Sequence, residues 1–300
     1  MTRPDRTSVA GVRYLDLQRK ARQSGRPTDE LIQLYALECF LERLTLSAFA
    51  KNLVLKGGVL LAALDARRPT RDIDLAASAL KNTEAEILAV VREIAGISLD
   101  DGIEFDSERA VAEVIREQDE YSGIRVTLDG RLSRAAIRLH VDVNVGDPIW
   151  PEPQHVSFPR LLDGVLQVRG YPIEMVLAEK IATAIARGTA NTRWRDFVDL
   201  FSLANRHRVS GTTFRASLDR VAQHREVTLV PLASVLVGYA EFAQARWVAW
   251  LRKQRLESTV PTEFSAILDY VVAFADPIIG RRITDGGNWD PQQRQWRNDG

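Results

Sequence analysis

Residues 135–145 alternate between apolar and polar side chains, and this pattern limits the fold of the chain more than any other segment. The apolar positions are Ile137, Leu139, Val141, Val143 and Val145, and the polar positions between them are Arg138, His140, Asp142 and Asn144. Successive side chains of a β-strand point to opposite faces, so the pattern predicts a strand with one buried and one polar face. The N-terminal half of the chain is therefore expected to contain a sheet.

The two halves of the chain differ in their apolar periodicity. Short strands are also predicted at 53–55, 72–75, 103–105 and 124–128, and helices at 12–22, from residue 28, and at 84–94. A proline-rich connection follows at Pro151, Pro153 and Pro159, and then helices are predicted at 173–187, 194–206, 211–223, 232–254 and 262–275. The predicted fold class is α+β, a mixed sheet with flanking helices followed by a helical C-terminal lobe, with domains at 1–165 and 166–300.

Composition excludes several classes of protein. The 300 residues carry 40 basic and 40 acidic side chains, which excludes a polybasic nucleic-acid binder but leaves room for a local basic patch. The single cysteine, Cys39, excludes an internal disulfide and a Cys-rich zinc site, and it is expected to be buried. The first residues lack an apolar signal segment, and polar residues interrupt the most apolar window at 232–251, so we expect a cytoplasmic protein without a membrane span.

The first candidate site is Lys56-Gly57-Gly58 followed by Asp72-Ile73-Asp74. Side chains at i and i+2 share a strand face, so Asp72 and Asp74 would point together, and Mg²⁺ relieves the repulsion of such a pair. Glycines after a strand let backbone N–H groups approach a phosphate. The motif is not a Walker A loop, and a solvated strand edge is the competing interpretation.

The second candidate is Asp142, an acid in the middle of the apolar strand. It would face either a metal or water, because a buried unpaired carboxylate is costly. His140 is interpreted as a partly exposed strand residue. The third candidate is a local basic patch, in which Lys180 and Arg187 share one helix face and Arg193 and Arg195 follow. Asp196 and Asp199 share a face as well, so a salt-bridged helix surface is the alternative here.

In this order and spacing, the motifs resemble the AbiEii/AbiGii nucleotidyltransferase toxins, in the DNA polymerase β-type superfamily. The matching segments are Leu55-Lys56-Gly57-Gly58, Thr70-Arg71-Asp72-Ile73-Asp74, Val141 to Asp147, Glu174 to Arg187, and Arg195 to Leu200. The tail Gly287-Asn288-Trp289-Asp290 matches more weakly. One departure is that Gly58 stands where the superfamily commonly has serine, which removes a serine contact to phosphate.

The resemblance implies a role for each matching residue and a polymerase β-like sheet. It implies phosphate binding by Gly57 and Gly58, triphosphate contact by Lys56, Mg²⁺ ligation by Asp72 and Asp74, a third carboxylate at Asp142 as metal ligand or base, and a second active-site pair of Lys180 and Asp196 from the C-terminal lobe. Their positive charge makes Arg187 a candidate for nucleotide contact and Arg193 and Arg195 candidates for RNA contact, because cations steer a polyanionic acceptor.

The function implied is that of the toxin in a bacterial toxin–antitoxin pair. It would use Mg²⁺ to transfer NMP from an NTP to an RNA 3′ hydroxyl, at the acceptor end of tRNA, and so block translation; its protein partner would be an antitoxin. Two alternatives use the same residues. One is an NTP-dependent phosphotransferase, and the other is a non-catalytic NTP- or RNA-binding module, which would gain little from the carboxylates.

Thr70, two residues before Asp72, is a candidate regulatory phosphosite. A phosphate there would add about −1.5 to −2 charges beside the carboxylates and repel the incoming triphosphate, and an antitoxin could act in this way. We expect mass spectrometry of toxin co-expressed with its antitoxin to find phosphorylated Thr70. Unmodified Thr70 in fully inhibited toxin would contradict the hypothesis.

Overall fold

The computed structural model describes residues 5–66, 70–117, 121–283 and 286–298. They divide into two compact units, one of residues 1–147 with 153–171 and one of 148–152 with 172–300. The domain boundary predicted from the sequence, between 165 and 166, falls within the last strand of the first unit, and that division remains a prediction.

The first unit is a mixed sheet with helices. Its helices are α1 (Val9–Ser24), α2 (Thr28–Leu46), α3 (Gly57–Leu60), which continues into a 3₁₀ turn at Leu61–Leu64, and α4 (Glu84–Ala95). Its strands are β1 (Leu53–Lys56), β2 (Asp72–Ala77), β3 (Ile103–Phe105), β4 (Val111–Glu117), β5 (Tyr121–Leu132), β6 (Ala135–Val145), β7 (Gln154–Pro159) and β8 (Val165–Gly170). The α+β class and the mixed sheet predicted from the sequence are confirmed.

Within the described residues the sheet order is β3-β5-β6-β2-β1-β8-β7, and β4 pairs with the other end of β5. β2 runs parallel to β6 and antiparallel to β1, which itself runs parallel to β8. One face is apolar, with Ile73, Leu75 and Val141 each 0% exposed. Helix α2 packs against β6 and α4 against β4 and β5, so helices cover the core side of the sheet. Cys39 is buried in α2 as expected, and burial raises the pKa of its thiol.

Strands β7 and β8 were not predicted, because prolines at 151, 153 and 159 indicated only a connection. Pro159 ends β7, which lies at an edge of the sheet, and an edge strand tolerates a residue without a backbone N–H. Strand β4 was also missed, because its sequence, Val-Ala-Glu-Val-Ile-Arg-Glu, does not alternate. Two of the three missed strands, β4 and β7, lie at an edge in the described part of the sheet, whereas β8 lies between β1 and β7.

The second unit is mainly helical, as predicted. It contains α5 (Ile173–Arg187), α6 (Trp194–Ala204), α7 (Gly211–His224), α8 (Leu232–Val235), α9 (Tyr239–Gln254) and α10 (Phe264–Ile279), with β9 (Val209–Ser210), β10 (Gly287–Asp290) and β11 (Gln295–Asn298) in a small antiparallel sheet. The predicted helix 232–254 is wrong as a single element. Gly238 has φ +72° between α8 and α9, and this left-handed backbone interrupts the helix.

The C-terminal tail packs onto the rest of the second unit through its tryptophans. The Trp289 indole N–H donates a hydrogen bond to the Ala204 carbonyl at 2.7 Å, and that of Trp296 donates to the Phe274 carbonyl at 2.8 Å. Both indoles thereby satisfy their only donor while burying their rings among other aromatics.

Candidate active site

The two acids of the Asp-Ile-Asp motif share one face of β2. Ile73 and Leu75 are fully buried on the core side, whereas Asp72 and Asp74 are half-buried on the other side. The pleat of the strand explains this division, because alternate side chains point to opposite faces. The pair of carboxylates predicted from the sequence is therefore held side by side by a rigid element of the fold.

Charged residues of five neighbouring strands stand in one row across this face, which we call the polar row. Lys56 on β1 is in register with Asp74 on β2, and Asp74 is in register with Asp142 on β6. Asp142 is in register with Arg125 on β5, and Arg125 with Glu113 on β4. Directly paired residues share a face, so the sheet brings together five charges that lie far apart in the sequence.

Asp142 is 7% exposed and pairs with Arg125. The Arg125 Nε donates to one carboxylate oxygen at 2.8 Å and its Nη2 to the other at 2.7 Å. These hydrogen bonds raise the pKa of Arg125, and they compensate the burial of the acid. The sequence-based alternatives for Asp142, metal or water, did not include this partner. The alternation of Ile124, Val126 and Leu128 was the available signal that Arg125 lies on the polar face.

Gly57, the first residue of α3, lies directly against Asp74. Its φ is +63°, and a Cβ atom added there would stand 2.0 Å from the Asp74 Oδ2. The position therefore requires glycine for two reasons, the left-handed backbone and the closeness of the carboxylate. Gly58 follows as a buried residue of α3. The glycine pair and the acidic motif are thus neighbours in space, as the resemblance implied.

Lys56 and Thr70 also lie beside the acidic motif. The Lys56 Nζ is 2.5 Å from the Asp147 Oδ2 and 5.7 Å from the centre of the Tyr171 ring. Its charge is therefore balanced by Asp147, a residue of the matching segment to which no role had been assigned. The Thr70 hydroxyl is half-buried and donates to the Asp72 carbonyl oxygen at 3.4 Å. A phosphate on this oxygen would lie next to the acidic pair.

The second unit contains a separate buried network of charges. The Lys180 Nζ lies 2.8 Å from Asp196 and 2.7 Å from Asp199, and the Arg193 Nε lies 2.7 Å from the other oxygen of Asp196. Burial opposes ionisation of Asp196, but Lys180 and Arg193 outweigh it and lower its pKa to about 2. Lys180 and Asp196 are therefore direct partners, and Asp199, only noted for its spacing in the sequence, completes the network.

The four cations predicted as a basic patch have different environments. Lys180 is 11% exposed, and Arg193 is 40% exposed with its Nε on Asp196. Arg195 is exposed and Arg187 half-exposed, and neither forms an ion pair with any residue in the described part of the chain. Arg187 and Arg195 are therefore the members of the patch that can bind a polyanion without breaking an internal ion pair.

The oxygen donors of Asp72 and Asp74 suit a hard divalent cation such as Mg²⁺. Gly57 supports this fit, since a side chain there would occupy the space beside the Asp74 carboxylate. Among residues 5–66, 70–117, 121–283 and 286–298, no three acidic, histidine or cysteine side chains are already gathered as a metal-binding group. The candidate metal ligands are therefore Asp72 and Asp74 on β2, because both oxygens of Asp142 accept hydrogen bonds from Arg125.

Comparison with known proteins agrees with the motifs. Residues 39–273 match the family model described as nucleotidyl transferase AbiEii toxin, type IV toxin–antitoxin system. The chain belongs to this family. Membership makes it a nucleotidyltransferase-family protein of a toxin–antitoxin system, for which an antitoxin partner is implied. The matched range includes every catalytic, nucleotide-binding and RNA-binding residue predicted from the sequence.

Two solved structures from H. pylori are among the structural matches to this chain. One, described as a candidate nucleotidyltransferase, has a TM-score of 0.48 and 15% identity, covering 85% of this chain and 98% of that one. The other, JHP933, has a TM-score of 0.46 and 16% identity, covering 82% of this chain and 91% of that one. No curated protein matches the chain significantly. In the described residues, no helix is both long and apolar enough to cross a bilayer.

The contact between Gly57 and Asp74 predicts that Gly57→Ala strongly lowers the rate of nucleotidyl transfer, because the new Cβ would displace the Asp74 carboxylate. Gly25→Ala is the matched control, since Gly25 has φ +65° but nothing within 4 Å of its added Cβ. Both variants should lose about 1–2 kcal/mol of unfolding free energy from backbone strain. Only Gly57→Ala should lose transfer, by a hundredfold or more (on the order of one displaced catalytic group). Equal activity of the two variants would contradict the prediction.

The Asp196 network predicts a specific pH dependence of stability. The folded pKa of about 2 lies below the usual 3.8, so ionised Asp196 stabilises the protein above about pH 5, and this contribution is lost as pH falls toward 2. Between pH 5 and 3, wild type should lose about 1 kcal/mol more unfolding free energy than Asp196→Asn does. Urea titrations at each pH measure this. Asp269→Asn, at an exposed acid of the same unit, should behave like wild type.

Proposed function

We propose that this chain is a toxin that transfers NMP from an NTP to the 3′ hydroxyl of an RNA, at the acceptor end of tRNA, and thereby blocks translation. The observation that carries the proposal is the polar row, where Asp74 stands beside Asp72, against Gly57 and in register with Lys56. Family membership supports nucleotidyl transfer, and the resemblance supports RNA as acceptor.

The reaction exchanges one phosphorus–oxygen bond for another. The acceptor hydroxyl attacks the α-phosphorus and loses its proton to a base, the bond to the β-phosphate oxygen breaks, and pyrophosphate leaves. Negative charge increases on the phosphoryl oxygens during this step, so catalysis requires positioning and charge neutralisation rather than covalent chemistry.

Residues of the first unit would bind the metal ion and the nucleotide phosphates. Asp72 and Asp74 would hold Mg²⁺, which when bound supplies positive charge to the phosphoryl oxygens. Gly57 has no side chain and so leaves the Asp74 carboxylate in place. Gly58 is the next residue of the segment to which the resemblance assigns phosphate binding. Lys56, held by Asp147, places a cation beside Asp74 for contact with the triphosphate.

The second unit supplies the remaining assigned residues. The resemblance assigns Lys180 and Asp196 to the reaction, and Lys180, 2.8 Å away, lowers the pKa of Asp196. Arg187 is assigned to the nucleotide and Arg193 and Arg195 to the RNA. A polyanionic acceptor is steered by such cations, so binding of RNA should weaken as salt rises.

The proposal predicts that purified protein, incubated with total RNA and Mg²⁺, transfers label from α-³²P-NTP and not from γ-³²P-NTP. Each of the four nucleotides is tested in turn, and the position of the labelled band on a gel identifies the acceptor. Asp72→Asn/Asp74→Asn should lower transfer by about a thousandfold or more, because both proposed metal ligands are lost.

The matched control is Asp129→Asn, which removes a half-exposed carboxylate from strand β5 of the same sheet. It should transfer label at the wild-type rate. Label from the γ-phosphate would instead identify a phosphotransferase, and growth inhibition that survives the double Asp substitution would identify a non-catalytic binding protein.

A further inference from the structure

Arg125 was not among the residues that the motifs indicated, yet it stands in the polar row between Asp142 and Glu113. Its guanidinium donates to Asp142 through Nε and Nη2, which leaves Nη1 pointing away from that carboxylate. The side chain is 29% exposed, whereas that of Lys56, the other cation of the row, is 10% exposed. Arg125 is therefore the more accessible of the two cations in the polar row.

We propose that Arg125 binds a phosphate of the incoming nucleotide and that Asp142 is the positioning residue that orients it. This inference rests on the proposed function and assigns to Asp142 a different role from that of a metal ligand or base. In this assignment Arg125 contacts the substrate phosphate. Asp142 affects nucleotide binding only by holding Arg125 in position.

The geometry of the pair supports this assignment. A bidentate arginine–carboxylate pair uses both oxygens of the acid, so Asp142 has no oxygen without a short contact to the guanidinium. A cation placed on Asp142 would also stand next to the positive charge of Arg125 and be repelled by it. The pair on β2, Asp72 and Asp74, therefore remains the proposed metal site.

The requirements of the substrate support it as well. A triphosphate that approaches Asp72 and Asp74 is repelled by them, and a cation on the same face must offset this repulsion. Arginine suits this task because its planar fork can donate to a carboxylate on one edge and to a phosphate on another. Strands lie about 4.8 Å apart, so Arg125 is only two strands, or roughly 10 Å at Cα, from Asp74.

A second arginine–carboxylate pair, farther along β5, provides an internal control. Arg131 on β5 donates to Glu104 on β3 through Nε at 2.8 Å and Nη2 at 2.6 Å. These residues are in register, and Arg131 is three alternate positions from Arg125 along β5. Substitution here removes the same kind of contact at about 20 Å along the strand from Arg125.

The test is binding of labelled NTP to the full chain, measured by equilibrium dialysis with Ca²⁺, for each of the four nucleotides. Arg125→Met should raise the Kd of the bound nucleotide at least about tenfold, the usual effect of one lost charge-assisted contact. Arg125→Lys should recover only part of the affinity. Arg131→Met should stay within about twofold of wild type, since its pair lies away from the site.

The role of Asp142 is tested by a double-mutant cycle. Asp142→Asn should weaken NTP binding less than Arg125→Met does, and it should cause no further loss in the Arg125→Met background, because it acts through the arginine. The double variant also leaves no buried charge unpaired, so it keeps the test valid where Arg125→Met alone folds poorly. The Mg²⁺ concentration for half-maximal transfer should be unchanged in Asp142→Asn and raised in Asp74→Asn.

Three results would overturn the inference. The first is normal NTP binding by Arg125→Met or by the double variant, and the second is that wild type binds none of the four nucleotides. The third is a raised Mg²⁺ requirement in Asp142→Asn, which would make Asp142 a metal ligand. The same experiments separate this inference from the proposed function. If RNA is labelled and Arg125→Met binds NTP normally, only this inference is rejected. If NTP binding depends on Arg125 but no RNA is labelled, only the transfer reaction is rejected.

Discussion

Strand register is the constraint on which the candidate site depends. β2 and β6 are parallel neighbours with Asp74 opposite Asp142, and β6 and β5 are antiparallel neighbours with Asp142 opposite Arg125. Because side chains alternate with a period of two, a slip of one residue would turn Asp142 into the core and Val141 to the polar face. The apolar side of each strand therefore fixes the charged side as well, and core packing positions the chemistry.

Burial then determines which charges need internal partners. Asp142 and Asp196 are both less than 8% exposed, and each is held by an arginine, with a lysine added at Asp196. An ionised carboxylate without such partners would be costly at this depth. By contrast, Asp72 and Asp74 are half-buried on an open face, and this difference in environment separates the proposed ligands from the acids that serve other side chains.

Much of the fold could be predicted from periodicity, and the elements with the strongest patterns were predicted best. β6 begins and ends at the predicted residues 135 and 145, and α5 at 173 and 187, because each buries one continuous apolar face. The weakly patterned strands β4, β7 and β8 were missed, and Gly238 divided a predicted helix through a backbone angle that hydrophobic spacing does not encode. Periodicity therefore predicts an element only where it buries one continuous apolar face.

The candidate site shows the same division. The sequence by itself determined that Asp72 and Asp74 share a face, that Lys180 and Asp196 belong to helical segments, and that the chain carries the ordered motifs of a nucleotidyltransferase toxin. Only the tertiary structure decided that Arg125 occupies both oxygens of Asp142, that Asp147 holds Lys56, and that Gly57 lies against Asp74. The physical reason is that spacing along a strand or helix follows from local geometry. Partners separated by 17 or 91 residues meet only when strand pairing chooses one register among many.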